Sequence, residues 1–345
     1  MTAGASAPRV PWIDIAKGVA IALVVLHHSL QFLEAYGWVP GPLQRADTGL
    51  TTMRMPLFFA VSGLLATRAV RTLPFARLWR KRLLLLVYLY VLWGLIRAVW
   101  FSFVPWPLEP LEPWMQFLLS PVQPWSGLWY LYALVLYSAL AWAMRGIPVW
   151  AQLAIGGAFS AAFASGLIQL GTGYTWRSIG TYFFFFLLGM HGRSLLLRWA
   201  GRVGWFTGGA VLAVYGALAF ALVLVPSSVR WAATLPIAVL GVTAGVALAV
   251  MLSRVPVLGG AVQSLGARTL PVYVLHVLVI SALTPLIPVA ILPTAAVAAV
   301  VAVVAIAVSL VVHVALGRVP GVFTLPPGLR PARAHPGTRT APAID

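Results

Sequence analysis

Cysteine is absent from the chain and acidic residues are scarce, with six Asp and Glu against 23 Lys and Arg. The absence of cysteine excludes disulfide bonds, thiolate metal sites and an acyl-cysteine intermediate, so a covalent relay would need another nucleophile. Charged residues make up 8% of the chain, whereas soluble domains carry about 25%. With 61% hydrophobic residues and a mean hydropathy of +0.95, the sequence is typical of a membrane protein with several spans.

The scarcity of acids leaves a net charge of +17. In a soluble protein this charge would suggest a nucleic-acid partner. In a chain this apolar, an excess of Lys and Arg is instead typical of cytoplasmic loops, so we expect no nucleic acid. The first apolar run is too long for a cleaved signal peptide and no small-residue cleavage site follows it, which predicts a retained first span.

Ten apolar runs are predicted to span the membrane, most of them close to the ~20 residues that a spanning helix needs. They lie at residues 11–29, 53–66, 83–103, 128–144, 149–170, 179–197, 205–225, 231–252, 269–287 and 290–316. The predicted fold is therefore all-α, a polytopic membrane helix bundle of about ten transmembrane helices. A cytoplasmic N-terminus puts most basic loops on the cytoplasmic side, including the densest cluster at residues 68–82, and both termini are then cytoplasmic.

The segments between and after the spans are expected to be loops. Residues 34–51 contain Gly, Pro and polar side chains, and a Pro- and Trp-rich loop that should lie outside follows the third span. Residues 1–319 are expected to form the membrane domain. From residue 320 to residue 345 the chain is rich in Pro, Arg and Ala, which predicts a disordered cytoplasmic tail.

The first span carries four polar groups that are costly at membrane depth, and they are Asp14, Lys17, His27 and His28. At 3.6 residues per turn, His28 follows Lys17 by about three full turns, so the two share a face, with Asp14 close to the same stripe. His27 points about 80° away from Lys17. A neutral imidazole at His28 could act as a general base on a hydroxyl, or it could bond a neighbouring helix. Lys17 could instead extend to the inner interface.

Basic residues between the second and third spans mark the cytoplasmic side. Four of them directly adjoin the third span, and they are Arg77, Arg80, Lys81 and Arg82. Besides setting the topology, they could bind the phosphates of an anionic cofactor or of lipid headgroups.

Further polar residues interrupt other spans. Arg54 stands at the outer mouth of the second span, and Ser62 precedes a glycine lower in the same span, where small residues permit close helix packing. Arg97 interrupts the third span, and His276 lies within the ninth. A lone histidine such as His276 more often has a structural role.

Several motifs occur along the chain in a fixed order. They are Asp-Ile-Ala-Lys-Gly at 14–18 with His-Ser at 28–29, Met-Pro-Leu-Phe-Phe-Ala-Val-Ser-Gly at 55–63, the basic run into residue 83, Leu-Trp-Tyr-Leu at 128–131, and Leu-Gly at 265–266 with Tyr-Val-Leu-His at 273–276. Together they resemble the acyltransferase-3 family of integral-membrane acyltransferases. Lys17 and His28 match a basic residue and a histidine separated by ten residues, to which the resemblance assigns transfer. Many members have arginine in place of Lys17, and the lysine form resembles the branch related to fucose O-acetylases.

The resemblance implies transfer of an acyl group, usually acetyl from acetyl-CoA, to a hydroxyl of a sugar, lipid-linked glycan or other envelope acceptor in a bacterial-type plasma membrane. Roles in transfer are implied for His28, Lys17 and Asp14. Binding of the CoA phosphates is implied for Arg77, Arg80, Lys81 and Arg82. Contact with the acceptor or the oxyanion is implied for Arg54, Ser62 and His276. No metal is expected, and direct transfer and an acyl-histidine relay both fit the sequence.

Two interpretations without catalysis remain open. A secondary transporter or exporter would use the same buried charges as a path for a solute or a proton. A structural or partner-binding membrane protein would tolerate apolar replacement of Lys17 and His28.

Overall fold

The computed structural model describes residues 10–38, 42–108, 111–124, 127–171, 174–289 and 294–330. Within these ranges the chain is built from helices and contains no strand. The α-helices are α1 (Pro11–Ala35), α2 (Pro42–Thr72), α3 (Phe75–Leu78), α4 (Leu84–Phe101), α5 (Pro113–Leu119), α6 (Trp129–Ala143), α7 (Val149–Ser165), α8 (Tyr174–His191), α9 (Arg193–Arg202), α10 (Trp205–Leu224), α11 (Ser227–Leu252), α12 (Pro256–Ala267), α13 (Thr269–Leu283) and α14 (Thr294–Leu316).

The predicted all-α, multi-span fold is confirmed. Each predicted apolar run overlaps a long helix, and these helices are α1, α2, α4, α6, α7, α8, α10, α11, α13 and α14. Seven segments of the described chain are both long and apolar enough to cross a membrane, and they include α1, α2 and α4 with its preceding turn. Of the other three, α6 and α7 are shorter, with 15 and 17 residues, and α8 is interrupted by polar side chains.

The start of the second helix differs from the prediction. We expected a loop over residues 34–51, but α2 begins at Pro42 and continues through Pro56 to Thr72. Proline is well tolerated at the start of a helix because its missing N–H has no partner there. The polar side chains that made this segment resemble a loop are bonded within the bundle, as described below for Asp47.

Helix α2 lies at the centre of the bundle, in contact with α1, α6, α8, α10 and α11. It packs tightly against α8 at Gly63, where any side chain would overlap the backbone carbonyl of Phe186. Small residues therefore allow two helices to meet backbone to backbone, as the Ser-Gly pair predicts. This packing fixes the position of Ser62, which is buried beside Gly63.

The chain after α14, where the prediction places a disordered tail from residue 320 onward, is described as far as residue 330. Residues 320–330 return to the bundle, where the ring of Phe323 stacks on Trp93 of α4 at 5.6 Å between centroids. The indole Nε1 of Trp93 donates to the carbonyl of Val322 at 3.1 Å. Two apolar side chains, Phe323 and Leu325, are buried despite the surrounding prolines. The remainder of the predicted tail, residues 331–345, lies outside the described residues.

Candidate active site

Three histidines from two helices lie side by side. The ring centroids of His27 and His28 on α1 are 5.2 Å apart, and those of His28 and His276 on α13 are also 5.2 Å apart. His276 is fully buried. The structure thus brings His276 to His28, although 248 positions separate them in the sequence, and the pair forms the centre of the candidate site.

Each imidazole is held through Nδ1 by an oxygen. Nδ1 of His27 donates to Asp47 Oδ2 at 2.6 Å, that of His28 to Gln31 Oε1 at 3.0 Å, and that of His276 to the carbonyl of Val272 at 2.9 Å. Carbonyl oxygens and ionised carboxylates only accept hydrogen bonds, so each Nδ1 carries a proton, and in the neutral form of each ring Nε2 keeps its lone pair. Within the described chain, the buried Nε2 of His276 has no hydrogen-bond partner. The cluster can therefore accept protons at Nε2.

Asp47 is a site residue that sequence reasoning missed. Its Oδ1 accepts a hydrogen bond of 2.6 Å from Arg54 Nη1, while Nη2 of Arg54 donates to Thr51 Oγ1 at 3.1 Å. Seven residues on a helix bring Asp47 and Arg54 to nearly the same face two turns apart. The spacing would have revealed the pair if α2 had been expected to begin at Pro42. Because Arg54 neutralises Asp47, the positive charge of Arg54 is already paired in this structure.

Lys17 and Asp14, which helix phase placed near one stripe, form an ion pair, with Lys17 Nζ 2.8 Å from Asp14 Oδ1. Asp14 also lies in the first turn of α1, where a carboxylate is favoured by the helix dipole. The structure does not bring this pair to His28. His28 follows Lys17 by eleven positions, which is about 16 Å along the helix axis, a distance that a lysine side chain does not span. Helix phase gave both residues one face, but they lie at different depths.

A series of polar groups continues from the histidines toward the opposite end of the bundle. The ring of Tyr273 lies 6.2 Å from that of His276, and its hydroxyl accepts from the backbone N–H of Tyr130 at 3.2 Å. The hydroxyl of Tyr130 is hydrogen-bonded to Ser62 Oγ at 2.6 Å. Beyond them, Nη1 of Arg82 lies 3.4 Å from the carbonyl of Leu65. Ser62 is thus connected to the cluster through two tyrosines rather than directly.

The four span-proximal basic residues lie on and before a π-helical turn, Trp79–Leu83, that leads into α4. Such wide turns inside helices are frequent at functional sites. Three of the four side chains, those of Arg77, Arg80 and Lys81, are exposed. Arg82 is half-buried and faces α2. The arrangement offers exposed cations for a polyanion and one cation at the inner edge of the bundle.

A cavity of about 410 Å³ adjoins the histidines at the other end of the bundle. Its walls combine hydroxyl groups, aromatic rings and charges, and they are formed by His27, Asp47, Thr48, Thr51, Thr52, Ala164, Tyr174, Arg177, Ser178, Thr181, Tyr182, Leu222, Val223, Arg230, Trp231 and Thr234. Apart from His27 on α1, these residues lie in the first parts of α2, α8 and α11 and at the ends of α7 and α10. With the predicted orientation, this is the outer side, and we call the space the outer cavity.

The described residues contain no group of three or more His, Asp or Glu side chains arranged to hold a metal ion.

Comparisons with known proteins agree with the motifs. The pattern of a family described as "Acyltransferase domain", the acyltransferase-3 family, matches residues 10–314. The chain is also similar to inner membrane protein YcfT of Escherichia coli strain K12, with 28% identity over 147 residues. The aligned region covers 36% of this chain and only 41% of YcfT. No solved structure matches the chain.

Proposed function

Because this chain belongs to the acyltransferase-3 family, we propose that it transfers an acyl group, specifically acetyl, from acyl-CoA to a hydroxyl of a sugar, glycan or other envelope acceptor. The family and the multi-span fold make it a membrane acyltransferase. Its similarity to YcfT supports a multi-pass location in a bacterial inner membrane. The donor, the acceptor and the roles of individual residues are the proposed part.

The observation that carries this proposal is the position of the imidazoles between two polar regions. On one side, His27 borders the outer cavity, whose hydroxyl groups and aromatic rings suit a carbohydrate-like acceptor. On the other side, Tyr273 and Tyr130 connect His276 toward the basic residues before α4. An acceptor entering from the outer cavity and a thioester entering from the cytoplasm would meet at the cluster.

His28 is the proposed proton acceptor because it is the middle ring of the three. Its Nε2 takes the proton of the acceptor hydroxyl while the hydroxyl oxygen attacks the thioester carbonyl carbon. The carbon–sulfur bond then breaks, and the CoA thiolate receives that proton from His28. Gln31 fixes the ring by accepting from Nδ1. A relay in which the acyl group rests on His28 requires the same Nε2.

The basic residues at the start of α4 are proposed to bind the CoA phosphates through charge-assisted hydrogen bonds. The exposure of Arg80 and Lys81 supports this role, because a cytoplasmic polyanion needs access to them from water. Lys17 and Asp14 lie on the cytoplasmic half of α1 in the predicted orientation. We assign them to the donor side of the site rather than to proton transfer at His28.

Release of CoA from acetyl-CoA tests the proposed function. Purified protein in vesicles, supplied with acetyl-CoA and a carbohydrate extract of the bacterial envelope, should release CoA, whose thiol is measured with a thiol-reactive dye. The chain adds no background signal because it has no cysteine. A transporter would instead move radiolabelled solute across the vesicle membrane without releasing thiol. Uptake of label without thiol release would show that the proposed function is wrong.

A further inference from the structure

Arg97 is a buried cation that the mechanism above does not use. It lies in α4, its side chain is 0% exposed, and its three guanidinium nitrogens have no hydrogen-bond partner among the described residues. An unpaired charge inside a membrane bundle is among the most costly arrangements in a protein, and such residues persist where they serve a function. Arg97 therefore needs an explanation beyond packing.

The fold leaves a defined space for this guanidinium, which we call the seat. Gly127, just before α6, lies so close that a Cβ atom there would overlap Nη1 of Arg97. The indole of Trp106 lies on another side, 6.0 Å from the guanidinium carbon to the ring centroid. Glycine at position 127 thus leaves the room that the guanidinium occupies.

The seat lies beside the two helices that carry the histidine cluster. One turn after Arg97, Nε1 of Trp100 donates to Ser281 Oγ at 3.0 Å on α13, the helix of His276. Trp106, which lies over the guanidinium, also packs against α1 one turn after His28, with its ring centroid 5.7 Å from that of Phe32.

The cations on α1 and α2 that were considered for the site are already paired, since Arg54 binds Asp47 and Lys17 binds Asp14. Arg97, by contrast, has hydrogen-bond donors that no described residue uses and that are available to a reacting group.

We propose that Arg97 binds the oxyanion of acyl transfer, an inference that rests on the proposed function. When the acceptor oxygen attacks the thioester carbon, the electron pair of the C=O bond moves to its oxygen, and that oxygen becomes negatively charged. The Nη groups of Arg97 donate to it. When the C=O bond forms again, the carbon–sulfur bond breaks and the thiolate takes the proton held by His28. Arg97 itself neither gains nor loses a proton.

The absence of a hydrogen-bond partner for Arg97 among the described residues suits this role. A donor that is fixed before the reaction stabilises the charge that develops in the transition state without having to reorganise. If Arg97 had a carboxylate partner, the ground state would be stabilised as well, and the rate would gain less. We therefore assign to Arg97 the contact with the oxyanion that the sequence suggested for Arg54 and Ser62.

Replacement of Arg97 by methionine separates catalysis from stability. Because the guanidinium makes no hydrogen bond within the described chain, R97M should fold with a Tm in detergent equal to or above that of the wild type. Its kcat for CoA release should fall about 10²–10³-fold, as on loss of an oxyanion donor, with an unchanged KM for acetyl-CoA. The control is R145M, which removes an exposed arginine stacked on Trp142 and should keep wild-type kcat.

Chemical rescue provides a second measurement that remains informative if R97M folds poorly. In R97A, which leaves an empty seat beside Gly127, added guanidinium ion should restore part of kcat, whereas it should not stimulate H28A. A wild-type kcat in R97M, or a loss that appears only in KM for the acceptor extract, would overturn the oxyanion role. If wild-type protein and all variants release no CoA, the proposed function fails together with this inference.

Discussion

Replacing Asp47 with alanine is expected to destabilise the protein because it leaves a buried guanidinium without its counter-charge. Asp47 accepts hydrogen bonds of 2.6 Å from both Arg54 and His27, and Arg54 is only 3% exposed. Removing one partner of a buried ion pair costs about 3–5 kcal/mol. Asp47 borders the outer cavity, so water can partly solvate Arg54. We therefore expect the free energy of unfolding to fall by about 3 kcal/mol, at the lower end of this range.

The assay is reversible unfolding of purified protein in detergent, with the double variant D47A/R54M as the comparison. Methionine replaces the arginine by an apolar side chain of similar length, so the double variant contains no uncompensated charge. It should recover most of the stability that D47A loses, because the two residues are directly coupled. If the losses of D47A and R54M simply add in the double variant, Asp47 and Arg54 do not interact as described and this account of the pair is refuted.

Two further predictions concern the cytoplasmic side. A single cysteine at exposed Thr72 should be inaccessible to an impermeant thiol reagent in intact cells, whereas one at exposed Val122 should be labelled; the reverse pattern would invert the topology. Replacing both Arg80 and Arg82 with glutamine should raise the KM for acetyl-CoA. Added salt should raise the KM of the wild type more than that of the variant, because salt screens phosphate contacts that the variant lacks. An unchanged KM in the correctly inserted variant would leave these residues only a topological role.

Much of the fold was predictable because the bilayer imposes a length on every span. The ten apolar runs match ten helices, since a helix that crosses hydrocarbon needs many successive apolar residues. The start of α2 at Pro42 was not predictable in this way. Its polar side chains resemble those of a loop, and the partners that satisfy them, such as His27 for Asp47, lie on another helix.

The candidate site was predictable only along single helices. The pattern placed Asp14 beside Lys17, and the ion pair is present. The same phase argument put Lys17 on the face of His28. It did not show that the lysine side chain is too short to cover the distance of about 16 Å along the helix axis to His28. Arg97 appeared as an isolated charge in a span. Its importance comes from Gly127 and from α13, the helix of His276, which meet α4 only in the folded chain.

The comparison of His28→Ala with His27→Ala tests the central claim most directly. Loss of the proton acceptor should lower the rate of CoA release about 10²–10⁴-fold or more in H28A, with normal expression and an unchanged fold. H27A should keep substantial activity, since Asp47 remains paired with Arg54 when His27 is removed. Both rates are measured at equal protein in vesicles. Near-wild-type turnover in H28A with loss in H27A would make His27 the base, and full activity in both would contradict the histidine mechanism itself.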